Sequence, residues 1–353
     1  MKKIFLTITA LIISFIICLG AVGCSSITYL SFNNNFDGSS GGGINHLNLK
    51  ETLTYSVTYT DNYNEQIKKD SDITDDVVKF NFDKGTYVQT LEVLSSAKDI
   101  EEKTDIDCSQ SNIYYLHTEL SIKVNYQIEG KEPYEHLDTI ITDCYFLSSG
   151  QSLSPLYSKV TVDNSYLLVY SSETPAQIIQ GKYEFTTVYQ QKNYKLTSIV
   201  TSDEGKDTTE KTYNYNYKTA IDNAQLLFAL RNVEIEEKAT LTLPVVSPSY
   251  GKAMTLQIKN AESSTVEKNI IYSDGTKEST ATSTPVKNYN FMIHATENTG
   301  ALHYMKYQKS QTENLPFRSL LIEYAAPIIC FSAHNCIGAL VYQLDSVEVS
   351  QSK

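Results

Sequence analysis

Toward its C-terminal end the sequence reads "IICFSAHNC", residues 328 to 336, which sets Cys330, His334 and Cys336 close together between two apolar runs. Thiols and an imidazole at this spacing suit three kinds of chemistry: a zinc site, a redox pair, or a disulfide closing a hairpin. A structural zinc wants four ligands, and no second cluster of Cys or His stands in the sequence to supply the fourth. The flanking "APII" and "IGALVY" read as paired strands whose ends face each other across a five-residue loop. That spacing favours a disulfide between Cys330 and Cys336, worth about 2 kcal/mol in the chain-entropy model. His334 is then an exposed loop residue, and free thiols are the alternative.

The remaining candidates are thinner. His117 and His136 stand near the ends of neighbouring strands across a turn at Gly130, so hairpin pairing could bring two imidazoles together, yet no third ligand is evident and no metal is expected. His46, His294 and His303 have no partner pattern at all. The S-x-x-K pattern occurs at Ser95 to Lys98 and at Ser249 to Lys252 without the companion motifs of serine acyltransferases, so both read as surface loops. No G-x-S-x-G elbow, H-E-x-x-H, Walker loop, G-x-G-x-x-G or EF-hand occurs. The acidic runs "DSDITDD" and "EEKTDID" read as solvated loops. Catalytic residues and cofactors are therefore not expected.

The chain opens "MKKIFLTITALIISFIICLGAVGCSS": Lys2 and Lys3, an uncharged and mostly apolar run from Ile4 to Gly23, then Cys24 among small residues. This is the tripartite pattern of a secretory signal. An uncleaved membrane helix is the alternative, since roughly 20 apolar residues suffice to cross a bilayer. The residues "AVGC" decide between them, because they resemble the lipobox of bacterial lipoproteins, with Ala21 where that family most often has Leu. The resemblance implies that residues 1–23 are a signal peptide, and that Cys24 becomes an acylated N-terminus holding the protein on the outer face of a bacterial cell membrane. Two acyl chains anchor far better than one, at about 0.8 kcal/mol per buried CH₂.

Cys18 leaves with the signal. Four cysteines remain in an oxidising compartment, and an even number there suggests disulfides. Besides Cys330 with Cys336, the second candidate pair is Cys108 with Cys144. If the hairpin turns near Lys131, Cys144 lies opposite the region of Glu119, and the loop carrying Cys108 must fold back to reach it.

Composition narrows the partners. Removing residues 1–23 takes Lys2 and Lys3 but no acid, so the formal charge goes from −12 to −14. Such a chain repels phosphate backbones, and Arg231 and Arg318 are its only arginines, so nucleic acid is not an expected partner. Residues 24–50 follow the anchor, and Asn33 to Gly43 within them is polar, glycine-rich and without period, as in a flexible tether. The short "ITYLSF" ahead of it is also compatible with an edge strand.

From Glu51 onward the dominant period is two. "LTYSVTY" puts Leu53, Tyr55, Val57 and Tyr59 on one face, "KFNFDKGTYVQTLEVL" reads as a hairpin turning at Asp83, Lys84 and Gly85, and "LHTELSIKVNYQI" aligns Leu116, Leu120, Ile122, Val124, Tyr126 and Ile128. A strand that long belongs to a sheet that must curl or be covered. The 26 tyrosines, against 12 Phe and no Trp, suit half-buried strand faces better than a glycan-stacking surface.

One segment breaks the period: "IDNAQLLFALRNV" offers Asp222 as an N-cap, a stripe of Leu226, Ala229, Leu230 and Val233, and Arg231 near the C-terminal end. A helix over about 222–232 is expected between two halves of a single β domain spanning 51–350.

The expected fold is mainly β: a large curved antiparallel sheet, or a partly open barrel or sandwich, with one short covering helix. The order "ETLTYSVTY", "DNAQLLFALR", "TLTLPV" and "GALVYQL" resembles exported bacterial β proteins of unknown function, and that resemblance implies a continuous β domain without an assigned activity. The expected role is a lipid-anchored, extracytoplasmic, non-catalytic binding or assembly component of the cell envelope. Its ligand, whether envelope protein, glycan or lipid, is not specified. An amphiphile carrier with a groove in the curled sheet and an envelope-polymer hydrolase are the alternatives.

Overall fold

The structure, a computed structural model, describes residues 28–29, 49–60, 78–104, 112–128, 130–149, 152–168, 177–190, 195–202, 207–214, 220–231, 240–247, 252–293, 301–307, 327–334 and 339–351. The period-two segments form one sheet of 17 strands. These are β1 (Thr28–Tyr29), β2 (Leu49–Tyr59), β3 (Val78–Phe82), β4 (Gly85–Leu94), β5 (Asn112–Ile128), β6 (Tyr134–Ser149), β7 (Ser152–Leu168), β8 (Gln177–Gln190) and β9 (Lys195–Ser202). They continue as β10 (Asp207–Asn214), β11 (Ile221–Asp222), β12 (Thr240–Ser247), β13 (Lys252–Ser273), β14 (Glu278–Ile293), β15 (Ala301–Tyr307), β16 (Ile328–His334) and β17 (Ala339–Gln351). Among the described residues two short helices are present where one was expected: α1 (Lys98–Thr104) and α2 (Leu226–Leu230), the latter preceded by a 3-10 turn at Asn223–Gln225.

Antiparallel pairs run β12-β13-β14-β15-β16-β17 and then, through β17 against β2, onward to β4-β5-β6-β7-β8-β9-β10. Pairing of β17 with β2 brings the C-terminal strand to the start of the domain, so the two halves of the chain share one sheet. Parallel contacts make the sheet mixed: β1 and β11 both lie along β12, and the far end of β13 returns to β17 at Ile271–Ser273. The ladder does not close into a full barrel among the described residues, because β10 pairs with β9 and not with β11 or β12.

The face read from β5 is the buried one: Leu116, Leu120, Ile122, Val124, Tyr126 and Ile128 all point into the core. On the other face, near the start of β5, Ile113 joins Leu147, Leu156 and Ile100 of α1 in a small outer core. The expected hairpin at Asp83–Gly85 is absent. Instead β3 and β4 run end to end along β5, with Phe82 opposite Val124 and Thr86 opposite Ser121. Three residues, Asp83, Lys84 and Gly85, therefore face only two, Ile122 and Lys123, which is a β-bulge. Gly85 is required by close approach, since a Cβ there would lie 2.5 Å from the Ser121 carbonyl oxygen and 2.8 Å from Ile122 Cβ.

The main core takes side chains from β2, β4–β7, β11–β14, β16 and β17, with α2 in the middle. Leu226, Phe228, Ala229 and Leu230 are all buried, and Phe228 packs against Tyr114 and Phe146 with ring centroids 5.8 and 5.4 Å away. A helix apolar nearly all round belongs inside a core. The helix is thus buried against the apolar side of the sheet, as its stripe led one to expect. Asp222 caps the 3-10 turn that leads into it, its Oδ1 accepting from the Ala224 N–H at 2.8 Å.

Candidate functional site

Three groups of polar side chains are carried inward by strands that are otherwise apolar on that face. The first joins α2 to the sheet. Glu51 is the single charged residue on the inward face of β2, among Leu49, Leu53, Tyr55 and Val57, and it is fully buried. Arg231, at the C-terminal end of α2, donates from Nη1 to Glu51 Oε1 at 2.5 Å and from Nη2 to Oε2 at 3.0 Å. Its guanidinium also lies 5.8 Å from the Phe228 ring centre. A forked pair of this kind satisfies both ions at once and fixes the angle between them.

The second joins the strand β11 to two interior strands of the other half of the sheet. Asp222 on β11 accepts through Oδ2 from Ser158 Oγ of β7 at 2.6 Å and from Tyr189 Oη of β8 at 2.5 Å. Beside it Tyr189, Ala220 and Val246 make a small apolar cluster. Side chains thus join β11 and β12 to β7 and β8 where no backbone pairing does. Burial raises the Asp222 carboxyl above its ordinary range, against the hydrogen bonds from Ser158, Tyr189 and Ala224.

The third group comes nearest to a constellation that could do chemistry. Tyr134, His136 and Asp138 follow one another along one face of β6. His136 Nδ1 lies 2.7 Å from Asp138 Oδ1, and its Nε2 lies 3.2 Å from Asp163 Oδ1. Gln180 donates to Asp163 Oδ1 at 2.9 Å and stands 3.0 Å from the same Nε2, while Lys182 pairs with Asp163 Oδ2 at 3.3 Å. Desolvation raises Asp138 against the bonds from His136 and Ser165; desolvation also opposes the charge on Asp163, but the bonds from Gln180 and Lys182 outweigh it and hold that carboxyl low. Two acids held apart in this way around one imidazole form an arrangement able to keep and relay a proton.

Serine, aspartate and histidine all meet here, but not in the order that activates a nucleophile. Ser165 Oγ donates to Asp138 Oδ1 at 2.8 Å, and the imidazole Nε2 faces Asp163 and Gln180 instead of the hydroxyl. In a nucleophilic triad the imidazole takes the serine proton and the acid orients the imidazole. Asp138 is also only 1% exposed. Its carboxylate accepts the Ser165 N–H at 2.9 Å, just beyond the last backbone pair of β6 with β7 at Thr139 and Asp163. It continues the ladder by side chain where β7 departs.

The other candidates do not converge. His117 stands opposite Asp143 and His136 opposite Val124, seven positions apart along β6 and about 23 Å at strand spacing. Each imidazole has its own carboxylate, for His117 Asp143 Oδ1 at 2.8 Å. Among the described residues no group of three His, Cys, Asp or Glu is arranged to hold a metal ion. Cys144 lies opposite Leu116 rather than Glu119, inside the main core. Cys330 lies opposite Gln343, four residues in from the end of β16, because the ladder continues to His334 opposite Ala339.

Cys144 and Cys330 are free thiols, and both are buried. Burial pushes Cys144 well above the usual thiol range, and it pushes Cys330 up to about 11, with Lys268 pulling weakly the other way. Residues 1–23, Cys24, Asn33 to Gly43, His46, Cys108, Ser249, His294 and Cys336 lie outside the described residues. Ser95 is an exposed bend ahead of α1, as expected.

No family model matches the chain, and no curated protein matches it. A solved structure of a β-barrel-like protein, of the domain of unknown function DUF1849 from Brucella abortus, is similar, with a TM-score of 0.42 and 6% sequence identity. The similarity covers 86% of this chain and 98% of that one. The neighbour is a bacterial β protein of unknown function.

Reading along the sequence missed Glu51, Asp138, Asp163 and Ser165. A signal was present in two of them: Glu51 and Asp138 each interrupt an apolar strand face, where an unpaired charge would be costly. Arg231 lies 180 residues from Glu51 and Ser165 lies 27 from Asp138, and spacing says nothing at that range; His136, two residues from Asp138, is the one partner within local reach.

Proposed function

We propose that this is a lipid-anchored, extracytoplasmic component of a bacterial cell envelope that works by binding or assembly rather than by catalysis. The observation that carries the reading is the N-terminal pattern, in which a basic start, an apolar run and "AVGC" lead to Cys24. The body supports it. Each buried acid described above holds parts of the fold together: Glu51 ties α2 to β2, Asp222 joins β11 to β7 and β8, and Asp138 continues the β6–β7 pairing. An envelope-polymer hydrolase would instead need accessible acids in a cleft. An amphiphile carrier would need room within the curled sheet where Phe228, Tyr114 and Phe146 are packed.

The test is processing and retention of Cys24→Ser. Wild-type protein should fractionate with membranes and incorporate a labelled fatty acid, and Cys24→Ser should lose the label and either accumulate unprocessed or leave the membrane. Equal labelling and retention of the two would overturn the lipoprotein reading in favour of a membrane-spanning N-terminus.

A further inference from the structure

Past Thr139 and Asp163 the sheet forks. The β6–β7 register stops at that pair, while β5 and β6 run on together from Ile122 opposite Asp138 to Tyr126 opposite Tyr134, and β7 and β8 from Asn164 opposite Gly181 to Leu168 opposite Gln177. Side chains bridge the two arms. Asp138 Oδ1 accepts from the Ser165 N–H at 2.9 Å and from its Oγ at 2.8 Å, and Tyr126 Oη donates to the Ser165 carbonyl at 3.3 Å. His136 is the bridge with two partners to choose from. Its Nε2 lies 3.0 Å from Gln180 Nε2 on β8 and 3.2 Å from Asp163 Oδ1 on β7.

The number of protons on the ring sets the choice. A carboxylate only accepts, so the Gln180 atom 2.9 Å from Asp163 Oδ1 is its NH₂ group, and the same group faces the imidazole. A ring nitrogen 3.0 Å from an amide donor must accept. The geometry is therefore that of a neutral imidazole whose one proton sits on Nδ1 and is donated to Asp138 at 2.7 Å. A second proton, on Nε2, sets two donors against each other with a carboxylate oxygen within reach of both.

We propose that His136 exchanges partners when it binds a proton: neutral, it links β6 to β8 through Gln180; protonated, it links β6 to β7 through Asp163 and draws the two arms of the fork together. Hydrogen bonds between ions are about twice as strong as neutral ones, and an imidazole ordinarily changes charge between about pH 5 and 8. The titratable groups around the ring come from four strands: Tyr126 of β5, Tyr134 and Asp138 of β6, Asp163 of β7 and Lys182 of β8. Lys182, 3.3 Å from Asp163 Oδ2, opposes the second proton. It is 47% exposed, so solvent screens that repulsion, whereas Asp138 is buried beside the ring. Acid should therefore tighten the fork.

The experiment follows hydrogen exchange of the Ser165 amide, the backbone donor that closes on Asp138, in the full-length protein by mass spectrometry with single-residue fragmentation. Rates are corrected for the intrinsic dependence of exchange on pH. Ser165 should exchange several-fold more slowly at about pH 5.5 than at about pH 7.5 in the wild type. Both His136→Gln, which removes the titrating ring, and Asp163→Asn, which removes only the acid-state partner at a partly exposed position, should abolish that slowing. Both variants keep Asp138, so a contribution from its own carboxyl stays in all three proteins. No slowing in the wild type, or slowing kept in either variant, would overturn the proposal.

Discussion

Arg231 at the end of the buried helix and Glu51 on the second strand, 180 residues apart in sequence, form a two-pronged ion pair from which solvent is excluded. The pair links the two halves of the chain, because β2 belongs to the N-terminal half and α2 to the connection between halves. Truncation of one partner leaves the other charged and buried, which costs about 3–5 kcal/mol. Arg231→Met should therefore lower the urea midpoint strongly. Arg231→Met combined with Glu51→Leu should recover most of the loss, since a well-packed apolar pair avoids the desolvation cost. A double variant no more stable than the single would show that the ions themselves are needed.

Burial raises the carboxyls of Asp222 and Asp138 above the ordinary 3.8 in the folded protein. A carboxyl raised in this way holds its proton more tightly folded than unfolded. Its contribution to stability is present in full below the unfolded value and is lost as pH rises through the folded value. Asp222→Asn and Asp138→Asn should each flatten part of that decline, measured by denaturant unfolding at steps from about pH 3.5 to 7. Asp163, held low, contributes in the opposite sense: its stabilisation is present above the unfolded value and lost as pH falls through the folded one. A wild-type profile parallel to those of both Asn variants would contradict the raised values.

Gly85 and Gly130 are both glycines at irregular points of the β3–β6 region, but for different reasons. Gly130 has φ +74° with open space around it, whereas Gly85 has an ordinary φ and β5 pressed against it. Gly85→Ala should cost about 1–3 kcal/mol as an overpacking change. Gly130→Ala should cost about 1 kcal/mol from backbone strain alone. Thermal melts of the two variants would check the order, and Gly85→Ala at wild-type stability would argue against the bulge.

Cys144 is wholly buried and Cys330 nearly so, and burial raises both thiols above the range where thiolate is common. Near pH 8 neither should react with iodoacetamide in the native protein, and both should react at once in urea. Rapid native alkylation of Cys330 would mean that the β16–β17 ladder opens readily. Mass mapping of the unreduced protein would report the state of Cys108 and Cys336 in the same experiment.

The strand periods, the inward faces of β2 and β5 and the helical segment that begins near residue 222 were legible in the sequence, because each is a local pattern of a few residues. A period of two says which side of a strand is apolar, and Asp222 before an apolar run says where a helix starts. The same local reading misplaced the turn at Asp83–Gly85, since glycine after a polar pair suits a hairpin and a bulge equally well, and only the neighbouring β5 distinguishes them. Tertiary structure alone decided which strands pack on α2, that β17 pairs with β2, and that His117 and His136 stand apart. It also gave Glu51, Asp138 and Asp222 their partners. The physical reason is the same in each case: a buried charge needs compensation, but compensation is satisfied by whatever the fold brings near, and sequence distance carries no record of it.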